Sequence, residues 1–131
     1  LLSLITTLGA NFAAGNSNII IPGQNTSLLA TELYQLLETS DVPAGYINIL
    51  TTKQNSLNKI LSEHENIDGI WFFSQNNNER LKVIQSTTSN LKRTWCPQSK
   101  NLDWSSKEED FLEEFLYQST QVKNIWIPYG E

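Results

Sequence analysis

Short apolar runs of strand length alternate with segments of helical spacing along most of this chain. That alternation constrains the fold more than any other feature. Ile19-Ile20-Ile21 is closed by Pro22, and Tyr46-Ile47-Asn48-Ile49-Leu50 follows a turn at Asp41-Val42-Pro43-Ala44-Gly45. Ile70-Trp71-Phe72-Phe73 runs into a polar turn. Apolar side chains at consecutive positions suit strands covered on both faces. Leu1, Ile5, Leu8 and Phe12 mark one face of a first helix that ends at Gly15, a natural C-cap residue. A second helix starts near the cap candidates Asn25 and Thr26, with Leu29, Leu33, Leu36 and Leu37 on one side. Leu57, Ile60 and Leu61 mark a third helix, and Leu81 and Ile84 a fourth. A repeated strand–helix order implies an α/β domain: a parallel sheet with right-handed crossovers and helices on both faces.

After Asn90 the character changes. Leu91 to Trp95 reads as a fourth strand, and Pro97 to Ser106 is polar and turn-like. Ser105 and Glu108 have the spacing of a capping box, which would open a helix carrying Phe111, Leu112, Phe115 and Leu116. Ile125-Trp126-Ile127 reads as a last strand stopped by Pro128. With 131 residues the chain has room for one core. A net charge of −5 argues against a nucleic-acid partner, because phosphates need a basic face. No apolar run reaches the roughly 20 residues of a membrane span, and the expected compartment is cytoplasmic. The opening Leu1-Leu2-Ser3-Leu4-Ile5 has no methionine and no charged leader, and reads as a cut edge. One cysteine, Cys96, and one histidine, His64, allow neither an internal disulfide nor a zinc site. Asn25-Thr26-Ser27 matches a glycosylation sequon but is read as incidental.

Five pieces of sequence carry a more specific signal. They are Ala13-Ala14-Gly15-Asn16, Pro22-Gly23 with Thr26, Val42-Pro43-Ala44-Gly45-Tyr46-Ile47-Asn48-Ile49, His64-x-x-Ile67-Asp68, and Ser89-Asn90-Leu91-Lys92-Arg93. In this order and spacing they resemble the coenzyme domain of the aldehyde dehydrogenases, a Rossmann-like fold. The departures from the family pattern set out below, together with Asn90 to Trp95, Lys123 to Gly130 and the ending Trp126-Ile127-Pro128-Tyr129-Gly130-Glu131, are similar to the second, degenerate C-terminal domain of aldehyde dehydrogenase family 16. On that resemblance residues 1–131 form a single degenerate coenzyme domain. Residues 1–95 resemble the family core, and 96–131 form a C-terminal helix and strand tail.

The resemblance also implies where NAD would bind, and here the chain departs from the pattern. Ile21 stands where the family has a lysine for the ribose hydroxyls, and Gln24 where it has a glutamate. Ile21 has no donor, and Gln24 keeps only part of an acceptor's role. The small-residue turn that lets a helix N-terminus approach a pyrophosphate is replaced by Phe73-Ser74-Gln75-Asn76-Asn77-Asn78-Glu79, read here as a plain helix start. Aligned without a gap, Pro97 falls at the family's general-base glutamate. The nucleophilic cysteine belongs to a region further along, and Cys96 is not that residue by position. No catalytic, coenzyme-binding or metal-ligating residue is therefore assigned, and no cofactor is expected unless the altered site still accepts NAD.

The other chemistry-bearing residues have plain structural readings. His64 belongs to a turn, and no carboxylate or nucleophile is spaced to use it. Glu108, Glu109, Asp110, Glu113 and Glu114 read as a solvated helix face at the favourable dipole end. Trp71 and Trp126 are expected in a core or interface, and one of Trp95 and Trp104 at an exposed contact. The leading functional expectation is a non-catalytic domain packing against a preceding dehydrogenase region, a second subunit, or both. The alternatives are a fragment of an active NAD-dependent aldehyde dehydrogenase and an independent flavodoxin-like module. The last lacks a phosphate-cradling glycine loop.

Overall fold

The computed structural model describes residues 1–98 and 102–130, without the side chains of 54 and 55. Its elements follow the order α1 (Leu2–Ala13), β1 (Asn18–Ile20), α2 (Ser27–Glu38), β2 (Ile47–Ile49), α3 (Gln54–Glu63), β3 (Gly69–Trp71), α4 (Asn77–Thr87), β4 (Arg93–Trp95) and α5 (Glu109–Ser119). Short 3₁₀ turns at Gln24–Thr26 and Thr88–Asn90 lead into α2 and out of α4. This is the α/β series the apolar spacing predicts. The strands pair in parallel as two ribbons. Asn18 faces Ile47 and Ile20 faces Ile49 in one, while Gly69 faces Arg93 and Trp71 faces Trp95 in the other.

Local chemistry sets the boundaries. Gly15, at φ +74°, closes α1 with a Schellman motif: its N–H reaches the Phe12 carbonyl at 2.9 Å, and Asn16 N–H reaches Asn11 at 3.0 Å. Gly45, at φ +84°, takes the left-handed position of a type II turn in which Tyr46 N–H donates to the Pro43 carbonyl at 3.2 Å. β4 starts only at Arg93, because Leu91 turns left-handed at φ +52°.

The β3–β4 ribbon is sandwiched. Val83 and Thr87 of α4 are buried, and the Thr94 hydroxyl bonds Thr87 Oγ1 at 2.8 Å on that side. On the other side Phe115 of α5, 1% exposed, lies against Trp71 and Trp95 with ring centroids at 5.8 and 4.8 Å. The β1–β2 ribbon is less enclosed: Ile47 is buried, but Ile19 is half exposed. In α2 the fully buried position is Ala30, flanked by half-buried Leu33 and Leu37, while Leu29 and Leu36 face outward. The small side chain lets that helix approach closely, which a search for large apolar residues misses.

Two expectations are corrected. Ser105 and Glu108 do not form a capping box. Both the N–H and the hydroxyl of Ser105 donate to Asp103 Oδ1, and α5 begins one turn later with Glu108 at its N-cap. A charged acceptor two residues back outcompetes the cap geometry. Ile125-Trp126-Ile127 is not a strand. Residues 121–130 are exposed and carry no secondary structure, with Trp126 at 92% exposure. Apolar groups on both sides of a strand need cover above and below, and α4 and α5 already cover the β3–β4 ribbon.

Candidate functional site

Three members of the Ser89-Asn90-Leu91-Lys92-Arg93 run, Asn90, Lys92 and Arg93, act as a latch between helices. Asn90 Nδ2 donates to the Ser62 carbonyl at 3.1 Å, and Lys92 Nζ donates to Leu61 and His64 carbonyls at 3.1 and 2.5 Å. These carbonyls belong to the last turn of α3, where no intrahelical partner exists, so a lysine there is a C-cap. Burial pulls the Lys92 ammonium below its ordinary pKa, and the Asp68 carboxylate partly opposes this. Arg93 reaches the opposite way. Its Nη2 bonds the Tyr117 carbonyl at 3.0 Å and Gln118 Oε1 at 3.3 Å, with the guanidinium 5.3 Å over the Tyr117 ring. The other motifs join in the same manner. Tyr46 OH donates to the Gly15 carbonyl at 2.8 Å, its ring stacks on Phe12, and Asn66 N–H donates to His64 Nδ1 at 3.2 Å. His64 thus serves its own turn.

The turn between β3 and α4 is where an open parallel sheet usually receives a ligand, beyond the carboxyl ends of its strands. Here it is satisfied from within. Asn76 Oδ1 caps the Asn78 N–H at 3.0 Å, and the Ser74 hydroxyl accepts from Asn76 N–H at 3.1 Å. That hydroxyl donates to Glu79 Oε2 at 2.9 Å, which places a carboxylate in the first turn of α4. The helix dipole end thus has its own negative charge. Phe73 fills the space beyond the strand, 5.5 Å from Trp95, 5.3 Å from Trp104 and stacked on Phe115 at 6.4 Å. Phe111 closes the cluster against Phe115 at 5.0 Å. Trp71, Trp95 and Trp104 therefore all join one aromatic cluster, and Trp126 alone of the four tryptophans stands in the open.

The other positions that the resemblance implies for a coenzyme lie between β1 and α2. Ile21 is half-buried beside the buried Pro22, and Gln24 is exposed in the 3₁₀ turn before α2. Thr26 occupies the N-cap position of α2 without capping it: its hydroxyl donates back to the Gly23 carbonyl at 3.1 Å. Cys96 follows β4 and is half-buried, and its carbonyl is held by the Arg80 guanidinium, with Nε at 3.0 Å and Nη2 as a second donor. Burial pushes its thiol pKa up, against smaller downward contributions from Arg80 and a backbone hydrogen bond at Phe72. A nucleophilic cysteine needs the reverse. Among the described residues no group of three or more acidic, histidine or cysteine side chains could hold a metal. Nor is any helix among them long and apolar enough to cross a membrane.

Comparisons with known proteins give the family. Residues 1–97 match the model of the aldehyde dehydrogenase family. The chain belongs to that family, and its fold is a fragment of the family's Rossmann-like domain. It is 33% identical over 88 residues to the NADP/NAD-dependent aldehyde dehydrogenase PuuC of Escherichia coli K12, covering 67% of this chain and 18% of that protein. It is 30% identical over 93 residues to aminoacetaldehyde dehydrogenase of Pseudomonas aeruginosa, covering 71% of this chain and 19% of the relative. Cytosolic aldehyde dehydrogenase 1 of the rat is 28% identical over 93 residues, with 71% and 19% covered. The chain thus spans just under a fifth of the length of these relatives. No solved structure gives a significant match.

Proposed function

We propose that this chain is a non-catalytic aldehyde dehydrogenase-like domain with a structural, oligomerising or interaction role in a larger protein of the family. Its counterpart in that reading is the second, C-terminal domain of aldehyde dehydrogenase family 16, and its partners are a preceding dehydrogenase region, a second subunit, or both. The observation that carries the reading is the filled turn after β3: Phe73 within its aromatic cluster, and Glu79 at the dipole end that a pyrophosphate would use. Ile21 and Gln24 add the loss of ribose ligands. Each lost charge-assisted hydrogen bond costs about 1.5–3 kcal/mol, so two or three losses weaken binding by roughly 10³-fold or more. The second reading, a piece of an active NAD-dependent enzyme, is favoured by the names of the relatives. Calorimetric titration of the chain with NAD separates the two. No heat of binding is expected at micromolar NAD, and micromolar affinity would return the chain to the enzymes.

A further inference from the structure

Two buried polar atoms lie where the latch meets α3. Ser62 is 1% exposed, and its Oγ has no hydrogen-bond partner among the described residues. Asn90 Oδ1 is equally buried and equally without a partner. The two residues are neighbours, because Asn90 Nδ2 donates to the backbone carbonyl of Ser62. That bond also fixes the amide's orientation: the nitrogen must face the carbonyl, so Oδ1 faces the other way and needs a donor.

We infer that this site binds one water molecule, shared by Ser62 Oγ and Asn90 Oδ1. A water supplies the donor that Asn90 Oδ1 requires and can either give to or take from the serine hydroxyl. Leaving either atom unsatisfied costs more than a typical hydrogen bond contributes, and buried waters collect where such atoms converge. A route in from solvent exists. Ser62 also lines a groove of about 580 Å³ between α3 and α4, with Asn58, Val83 and Ser86 among its walls. The water joins the end of α3 to the 3₁₀ turn Thr88–Asn90, immediately before the left-handed Leu91 that aims the chain into β4. It is thus a third tie at a corner already held by Asn90 and Lys92.

The sign of one substitution tests the site. With a bound water, Ser62→Ala removes an anchor and strands Asn90 Oδ1, and the folding equilibrium constant falls by about tenfold. With a dry site, the same change deletes a buried unpaired hydroxyl and the constant stays level or rises, which overturns the proposal. A direct serine–asparagine bond would also give a fall. Water-to-amide cross-relaxation in the intact 131-residue chain therefore provides the second readout. A long-lived water signal at the Asn90 side-chain NH₂, absent in Ser62→Ala, is the expected result. A fall in stability without that signal refutes the water.

Discussion

Asn16 Nδ2 donates to the Ser119 carbonyl at 2.6 Å, tying the end of α1 to the end of α5 across 103 residues of sequence. With Arg93 on the Tyr117 carbonyl, which the C-cap Thr120 N–H also reaches at 3.3 Å, this gives the last turn of α5 two donors from outside the helix. Asn16→Ala removes one of them and should cost about 1 kcal/mol. Urea unfolding of the variant should show a lower midpoint with an unchanged slope. An unchanged midpoint would mean the bond is not made in solution.

Phe115 is the centre of the domain's aromatic core, so Phe115→Ala should cost about 3–5 kcal/mol, the usual range for a buried phenylalanine. Against the 5–15 kcal/mol of a typical domain that loss is severe. Near-ultraviolet circular dichroism reads it directly, because Trp71, Trp95 and Trp104 all touch this ring. A variant that keeps both its tryptophan signal and its melting temperature would show that α5 is not packed as described.

Much of this was open to reading in the sequence, for physical reasons that also mark where reading stops. Ile19 to Ile21, Ile47 to Ile49 and Ile70 to Phe73 announced three strands because apolar density at that length is a local property. Gly15 announced a helix end because the left-handed conformation is local too. The roles of Asn90, Lys92 and Arg93 were not legible, although their motif was. Their partners lie 28, 31 and 24 residues away, and only the folded chain brings those carbonyls within reach. Ser105 and Trp126 misled for opposite reasons. At Ser105 a nearer acceptor won over the capping pattern. At Trp126 a strand-like segment found no covered edge in its own domain. The departure from the family's turn was visible as Phe73, but the packing of that ring against Trp104 and Phe115 was not.

Restoring the ribose ligands alone should not restore binding. Ile21→Lys and Gln24→Glu put back the side chains the family uses, yet Phe73 and Glu79 still fill the turn where the pyrophosphate would lie. Calorimetry on the double variant should remain flat at micromolar NAD. A clear binding isotherm would show that the turn is no obstacle.

Cys96 should behave as a half-buried structural thiol. Its pKa is raised above the ordinary value, so the thiolate fraction at neutral pH is lower than for a free cysteine. Alkylation by iodoacetamide should be slow at pH 7, and its midpoint should lie above that of a free thiol. In the larger protein, Cys96→Ser should leave any aldehyde oxidation within about twofold, roughly 0.4 kcal/mol of barrier. A hundredfold fall in a folded variant would make Cys96 catalytic after all.

The last prediction concerns the arm that follows α5. Val122, Ile125, Trp126, Ile127 and Tyr129 are each more than three-quarters exposed, a concentration of apolar surface that a lone domain does not keep in water. The segment has strand chemistry but no strand, and an extended apolar segment pairs readily with a free sheet edge. Trp126 is the natural anchor, since tryptophans that become buried on association often dominate an interface. On the proposed function, the arm should dock on a preceding dehydrogenase region or on a second subunit. Deleting residues 122–131 from the full-length protein should leave each domain folded, because the arm lies outside this domain's core. Light scattering should then report a smaller assembly, or limited proteolysis a newly loosened domain. A truncated protein with its native mass and native protease resistance would show that the arm holds nothing together.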